Sequence, residues 1–148
     1  MRTLPVAEVR DSLLTRIDRL RPNARARWGR QTVTEMVCHL ADQLRMALGE
    51  IPTRSIPTPL LFTPFKQFGI YVMPWPKGWV RSPPEARTTR PAEWNQDCAA
   101  LRSLLERFAA QDFARPWPPH PYFGRMSGRD WLWVTRRHFD HHLRQFGV

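Results

Sequence analysis

Cysteine is scarce in this 148-residue chain. Cys38 and Cys98 are too few for a disulfide framework or a cysteine zinc site, so a reducing, cytoplasmic setting is expected. Long apolar runs are missing too. None approaches the roughly 20 residues that a membrane-spanning helix needs. The opening MRTLPVAEVRDSLL has no apolar stretch of the kind a secretory signal carries. No segment alternates apolar and polar residues as a half-buried strand does, and no internal repeat or low-complexity tract is present. Lysine is almost absent: of 23 basic residues only Lys66 and Lys77 are lysine. The arginines never form a block of five like charges.

What is present is aromatic, basic and rich in proline. Seven Trp and eight Phe exclude disorder, which needs few aromatics. The net charge of +10 admits three partners in principle: nucleic acid, a membrane surface or an anionic small molecule. The scatter of arginine and the lack of a recognition-helix motif disfavour a specific nucleic-acid partner, and no membrane contact is expected. A small-molecule substrate fits better. Arginine in place of lysine reads either as a compositional bias or as a choice of the planar fork that grips carboxylates and phosphates.

Proline sets the organisation. Of fifteen prolines, eight lie between Pro52 and Pro84 and four between Pro116 and Pro121. The Pro-free windows 6–21, 23–51, 92–115 and 122–148 all carry helical periodicity. The first places Val6, Val9, Leu13, Ile17 and Leu20 on one face. The second opens on Thr32-Val33-Thr34-Glu35, a capping box, and closes at Gly49. The third opens at Pro91, expected in a first turn. The fourth opens on Ser127-Gly128-Arg129-Asp130, a weaker capping pattern, and closes at Gly147. The expectation is all-α: a four-helix bundle in one domain, residues 1–148. Between the second and third helices lies a long Pro-rich crossover. It carries a short extra helix in 59–72, kinked or broken at Pro64.

The histidines carry the chemistry. On the fourth helix His138 and His142 are one turn apart, inside an apolar arc with Trp131, Leu132, Phe139, Leu143 and Phe146. On the second helix His39 sits at the edge of the arc of Val33, Met36, Val37, Leu40, Leu44 and Ala47. Three imidazoles from two facing helices suit a divalent ion such as zinc, nickel or iron, with positions left open for water or substrate. Spacing alone leaves the alternative of hydrogen-bonded core histidines open. His141 reads as a surface group or a neighbour of the ligands. Asp42 and Asp140 could orient an imidazole, although a solvated helix face is the ordinary place for each. Cys38 reads as packing.

Three stretches together resemble a known family. They are W-G-R-Q-T-V-T-E-M-V-C-H-L-A-D around His39, P-W-P-K-G at 74–78, and H-P-Y-F-G-R-M-S-G-R-D-W…R-R-H-F-D-H-H-L-R-Q-F-G at 120–147. The chain is similar to the DinB/YfiT-like superfamily of metalloenzymes, and most similar to a subfamily of unassigned function. The resemblance implies a four-helix bundle with a three-histidine metal site on His39, His138 and His142. Some superfamily members are thiol-dependent S-transferases or isomerases, so a low-molecular-weight thiol is an expected co-substrate. Metal-dependent hydrolysis and a non-enzymatic basic interaction module are the alternatives. Arg25, Arg27, Arg30, Arg81 and Arg125 are candidates for holding carboxylates. His120 is a candidate catalytic group or a brace for its loop. Trp28, Trp75, Trp79 and Trp131 either wall a pocket or fill the core. A homodimer is expected from the resemblance and from apolar Trp133 among charged neighbours.

Overall fold

A computed structural model of the chain describes residues 5–75, 77 and 82–148. Trp79 and Arg81, and part of the 74–78 motif, lie outside the described residues. Among those described, the architecture is all-α. The elements are α1 (Val6–Ile17), α2 (Val33–Leu48), α3 (Phe65–Tyr71), α4 (Trp94–Ala109) and α5 (Gly128–Gln145). Two 3-10 turns, Pro59–Leu61 and Pro84–Arg87, sit in the crossover between α2 and α4. No helix among the described residues is long and apolar enough to cross a membrane.

The helix ends follow local chemistry. Thr32 accepts from the Glu35 amide at 3.2 Å while Glu35 accepts from the Thr32 amide at 2.8 Å, so two orphan donors are satisfied at once. Gly49 ends α2 at φ 80°, where a Cβ would be strained. Ser127 and Asp130 make the same reciprocal cap on α5. α4 departs from expectation. Its N-cap is Glu93, whose carboxylate takes the Asn95 and Gln96 amides, so the helix starts at Trp94 and Pro91 falls outside it. Pro64 does break the 59–72 segment, leaving a 3-10 turn before it and seven residues of α-helix after it.

The four long helices pack in the cyclic order α1–α4–α2–α5, so α1 and α2 stand diagonally, as do α4 and α5. α3 rests on α5, and the Pro84–Arg87 turn rests on α2. The centre is filled by Met36, Leu40, Leu44, Leu101, Leu105, Phe108, Trp131, Phe139 and Leu143, all essentially inaccessible. Each such side chain contributes on the order of 1.5–3 kcal/mol by leaving water. Trp131 is core, and its indole N–H donates to the Pro118 carbonyl at 2.9 Å. Polar side chains interrupt this core where α2 faces α5, with His39, Gln43, Thr135, His138 and Gln145 buried; Asp42 is buried where α2 meets the crossover at Thr88 and Thr89.

Candidate metal centre

The interruption is where the three imidazoles meet. The ring centroids of His39, His138 and His142 are 4.8–4.9 Å apart pairwise. One nitrogen from each lies within 4.8 Å of the other two. His39 Nε2 and His138 Nε2 are 2.9 Å apart. Nitrogens bound to one ion at about 2.1 Å stand roughly 3–3.5 Å apart, so this trio reaches bonding geometry by a small inward closure. Burial disfavours the cationic form of all three. His142 is pushed down to about 3 by burial and by the neighbouring His39, His39 is lowered by burial, and His138 is held well below the usual imidazole range by burial. Neutral imidazoles carry the lone pair that a metal needs.

Outer partners fix which nitrogen carries that lone pair. His39 Nδ1–H donates to the Ala86 carbonyl at 2.8 Å, leaving Nε2 unprotonated. His142 Nδ1–H donates to Gln145 Oε1 at 2.9 Å, with the same result. Gln145 is buried and uses its other amide atom as well: Nε2 donates to the Trp28 carbonyl at 2.8 Å. Ala86 is held in turn by Asp42. That carboxylate is fully buried and accepts from the Thr88 and Thr89 amides, each at 2.8 Å, from the Thr89 hydroxyl and from Arg45. Asp42 therefore departs from the solvated helix face. It touches no imidazole; it fixes the turn that supplies His39 with its acceptor.

The trio lines the wall of a cleft of about 1020 Å³. Trp75 stacks on His138 with ring centroids 5.2 Å apart, and Trp28 stands beside it in the lining. Three guanidinium groups, Arg30, Arg87 and Arg90, face the same space, and none makes an ion pair or hydrogen bond among the described residues. The sequence model of the DinB superfamily matches residues 6–146, which is nearly the whole chain. The chain belongs to the DinB superfamily. Comparison with curated proteins and with solved structures finds no match.

The remaining candidates sort clearly in this DinB-superfamily chain. His120 is buried in the same cleft, and its Nδ1 accepts from the Tyr122 amide at 3.1 Å. Its backbone also exchanges two hydrogen bonds with Gly124, at 2.7 and 2.8 Å. It braces its loop and lines the cleft at once. Burial drives its pKa down to about 3. His141 is half-buried, edge-on to His142 and Trp28, outside the trio. Asp140 pairs with Arg16 at 2.9 Å on the far side of α5 and orients no imidazole. Cys38 is buried packing, and burial pushes its thiol up to about 11. Of the arginines expected near the pocket, Arg30 lines it while Arg25, Arg27 and Arg125 do not. Sequence reasoning missed Arg87, Arg90, Gln43 and the role of Gln145. Gln145 was within reach, three residues after His142 on the same helix; the other three have no local signature.

Proposed function

We propose that this DinB-superfamily chain is a divalent-metal-dependent enzyme using His39, His138 and His142 as its three protein ligands, and that it joins the sulfur of an intact low-molecular-weight thiol to a small electrophile, the thiol losing only its proton. The observation that carries the reading is the trio itself. Three neutral imidazoles converge, those of His39 and His138 buried and that of His142 half-buried, and two have Nδ1 tied to fixed acceptors so that Nε2 is free for a ligand bond. A divalent ion held there lowers the pKa of a coordinated thiol or water into the neutral range. The chain's own groups do the rest. Arg30, Arg87 and Arg90 have no anionic partner among the described residues and suit the carboxylates of a peptide-like thiol. Trp28 and Trp75 offer flat apolar walls to the electrophile. His120 serves as a neutral donor: with Nδ1 accepting from Tyr122, its proton sits on Nε2. With its pKa near 3 it is neither a base nor a cationic acid at neutral pH.

The test begins with metal analysis of untagged protein, where one divalent ion per chain is expected. His142→Ala should lose that ion while keeping its helix content by circular dichroism. A merely structural trio would lose stability and leave metal stoichiometry unaffected. Cobalt-substituted protein with glutathione should develop a sulfur-to-metal charge-transfer band, absent in His138→Ala. A panel of cellular thiols giving neither a band nor thermal protection would replace the transferase reading with metal-dependent hydrolysis.

A further inference from the structure

The large exposed hydrophobic side chains among the described residues all fall on one short stretch. Phe62 is 68% exposed, Phe65 56%, Phe68 52% and Val72 63%. Phe65 and Phe68 share one face of α3 by their i, i+3 spacing, Val72 follows at its C-cap, and Phe62 precedes them by three residues. A lone exposed apolar residue needs no explanation, but a contiguous group of this kind marks a contact surface.

The stretch is held rigidly in this outward pose. Arg137 on α5 donates to the Ile70 carbonyl at 2.6 Å and also to the Met73 carbonyl. The Tyr71 hydroxyl donates to Asp130. On the inner side, a Cβ added to Gly69 would lie 2.9 Å from Leu60 and 3.0 Å from Phe123, so the backbone is pressed flush onto its neighbours. Ile70 is buried beneath. The inner face is thus fixed, and the three rings and Val72 cannot turn inward to escape water.

Charge tells what kind of partner meets that face. Residues 51–84 contain no acidic side chain, and Lys66 lies between Phe65 and Phe68. Arg129 stands over the Tyr71 ring, 6.0 Å from its centroid, and Arg125 is exposed just after the Phe123–Gly124 stretch that packs on Gly69 and Leu61. Asp130, the acid that touches the stretch, is already engaged by Tyr71 and by the amide and hydroxyl of Ser127. The whole chain carries +10. Like charge opposes bringing a second copy to this face and favours a surface of opposite sign.

We propose that Phe62, Phe65, Phe68 and Val72, flanked by Lys66, Arg125 and Arg129, dock the protein onto an anionic lipid bilayer. The rings enter the headgroup boundary while the cations meet lipid phosphates, the arrangement of an interfacial helix. Peripheral docking needs no spanning segment, and it runs against the sequence-based expectation of no membrane contact. Leu60, Gly69 and Met73 belong to the lining of the imidazole cleft, so docking sets that cleft close to the lipid surface. The proposal does not depend on the metal reading.

Flotation with unilamellar vesicles tests it. The full chain should float with vesicles of roughly 3:1 phosphatidylcholine to phosphatidylglycerol and stay behind with pure phosphatidylcholine. Raising the salt should weaken binding, because exposed charges are screened. The double variant Phe65→Ser/Phe68→Ser should bind the mixed vesicles at least about tenfold more weakly. Its circular dichroism and Tm should match the parent, since both rings are exposed. Lys66→Glu should weaken binding as well. No flotation with mixed vesicles, or equal flotation of the double variant, overturns the proposal. So does a concentration-dependent dimer that the double variant abolishes while vesicles bind neither form; the face would then be a self-association surface.

Discussion

The helices α2 and α5 and the crossover between α2 and α4 are stabilised in different ways. Both helices are closed by side chains three residues from the amides they satisfy, Thr32 with Glu35 and Ser127 with Asp130. The crossover has short-range bonds inside α3 and its 3-10 turns, but distant side chains hold it against the bundle. Its Thr88 and Thr89 amides go to Asp42, its Tyr71 hydroxyl to Asp130 and its carbonyls at 70 and 73 to Arg137, partners 46 to 67 residues away. The helix ends are set by local rules, whereas the position of the crossover depends on side chains that the packed helices present. The candidate metal centre draws on both. α2 and α5 supply the imidazoles, and the crossover supplies the Ala86 carbonyl that sets the His39 tautomer.

The comparison breaks most severely at Asp42. Asp42→Ala strips three hydrogen bonds from the 88–89 backbone and side chain and takes the carboxylate from Arg45, which keeps only its bond to the Thr89 hydroxyl. A loss of about 3 kcal/mol is expected, the lower end for breaking a buried charged network. Urea unfolding measures it. Metal uptake should fall in the same variant, although Asp42 touches no imidazole. Uptake equal to the parent's would mean that the crossover is not needed to prepare His39.

Acid should act next. His120 has its folded pKa lowered to about 3 from an ordinary 6.5, so above pH 6.5 both the folded and unfolded states keep it neutral. Between 6.5 and 3 the unfolded chain takes a proton that the folded chain refuses. Stability is therefore full above pH 6.5 and falls as the pH drops through that window, by up to about 1.4 kcal/mol per pH unit for this one group. Metal-free protein unfolded in urea at a series of pH values should show at least this slope, since His39, His138 and His142 are lowered by burial in the same direction. His120→Asn should show a slope shallower by about one proton. An unchanged slope would place the acid sensitivity elsewhere.

The smallest effect is expected in the helical frame. Ser127→Ala removes one cap and should cost about 1 kcal/mol, with metal stoichiometry intact. A loss near that of Asp42→Ala would erase the distinction between local and borrowed stabilisation.

The same distinction explains what was legible in the sequence. Proline placement and capping boxes located α2 and α5 within a residue or two, because caps and breaks are short-range. The pairing of His39 with His138 and His142 was legible because helical spacing puts each on an inward arc. α4 began three residues late, since the Glu93 carboxylate satisfies the first amides better than Pro91 can open the helix. Asp42 was misplaced because its partners at 88 and 89 carry no periodic signal. Arg87 and Arg90 were missed for the same reason: only the packed crossover turns them toward the cleft.

His39 and His138 are 99 residues apart. A ribosome adding about 5–20 residues per second needs roughly 5–20 s to go from one to the other. For that interval His39 is a single imidazole on a nascent helix, with neither its companions nor the Ala86 carbonyl in place. Isolated, it has no means to retain an ion against the cell's other ligands. Any ion that the trio holds must therefore arrive after α5 has docked, and the distance between two histidines sets the earliest moment at which the site can exist.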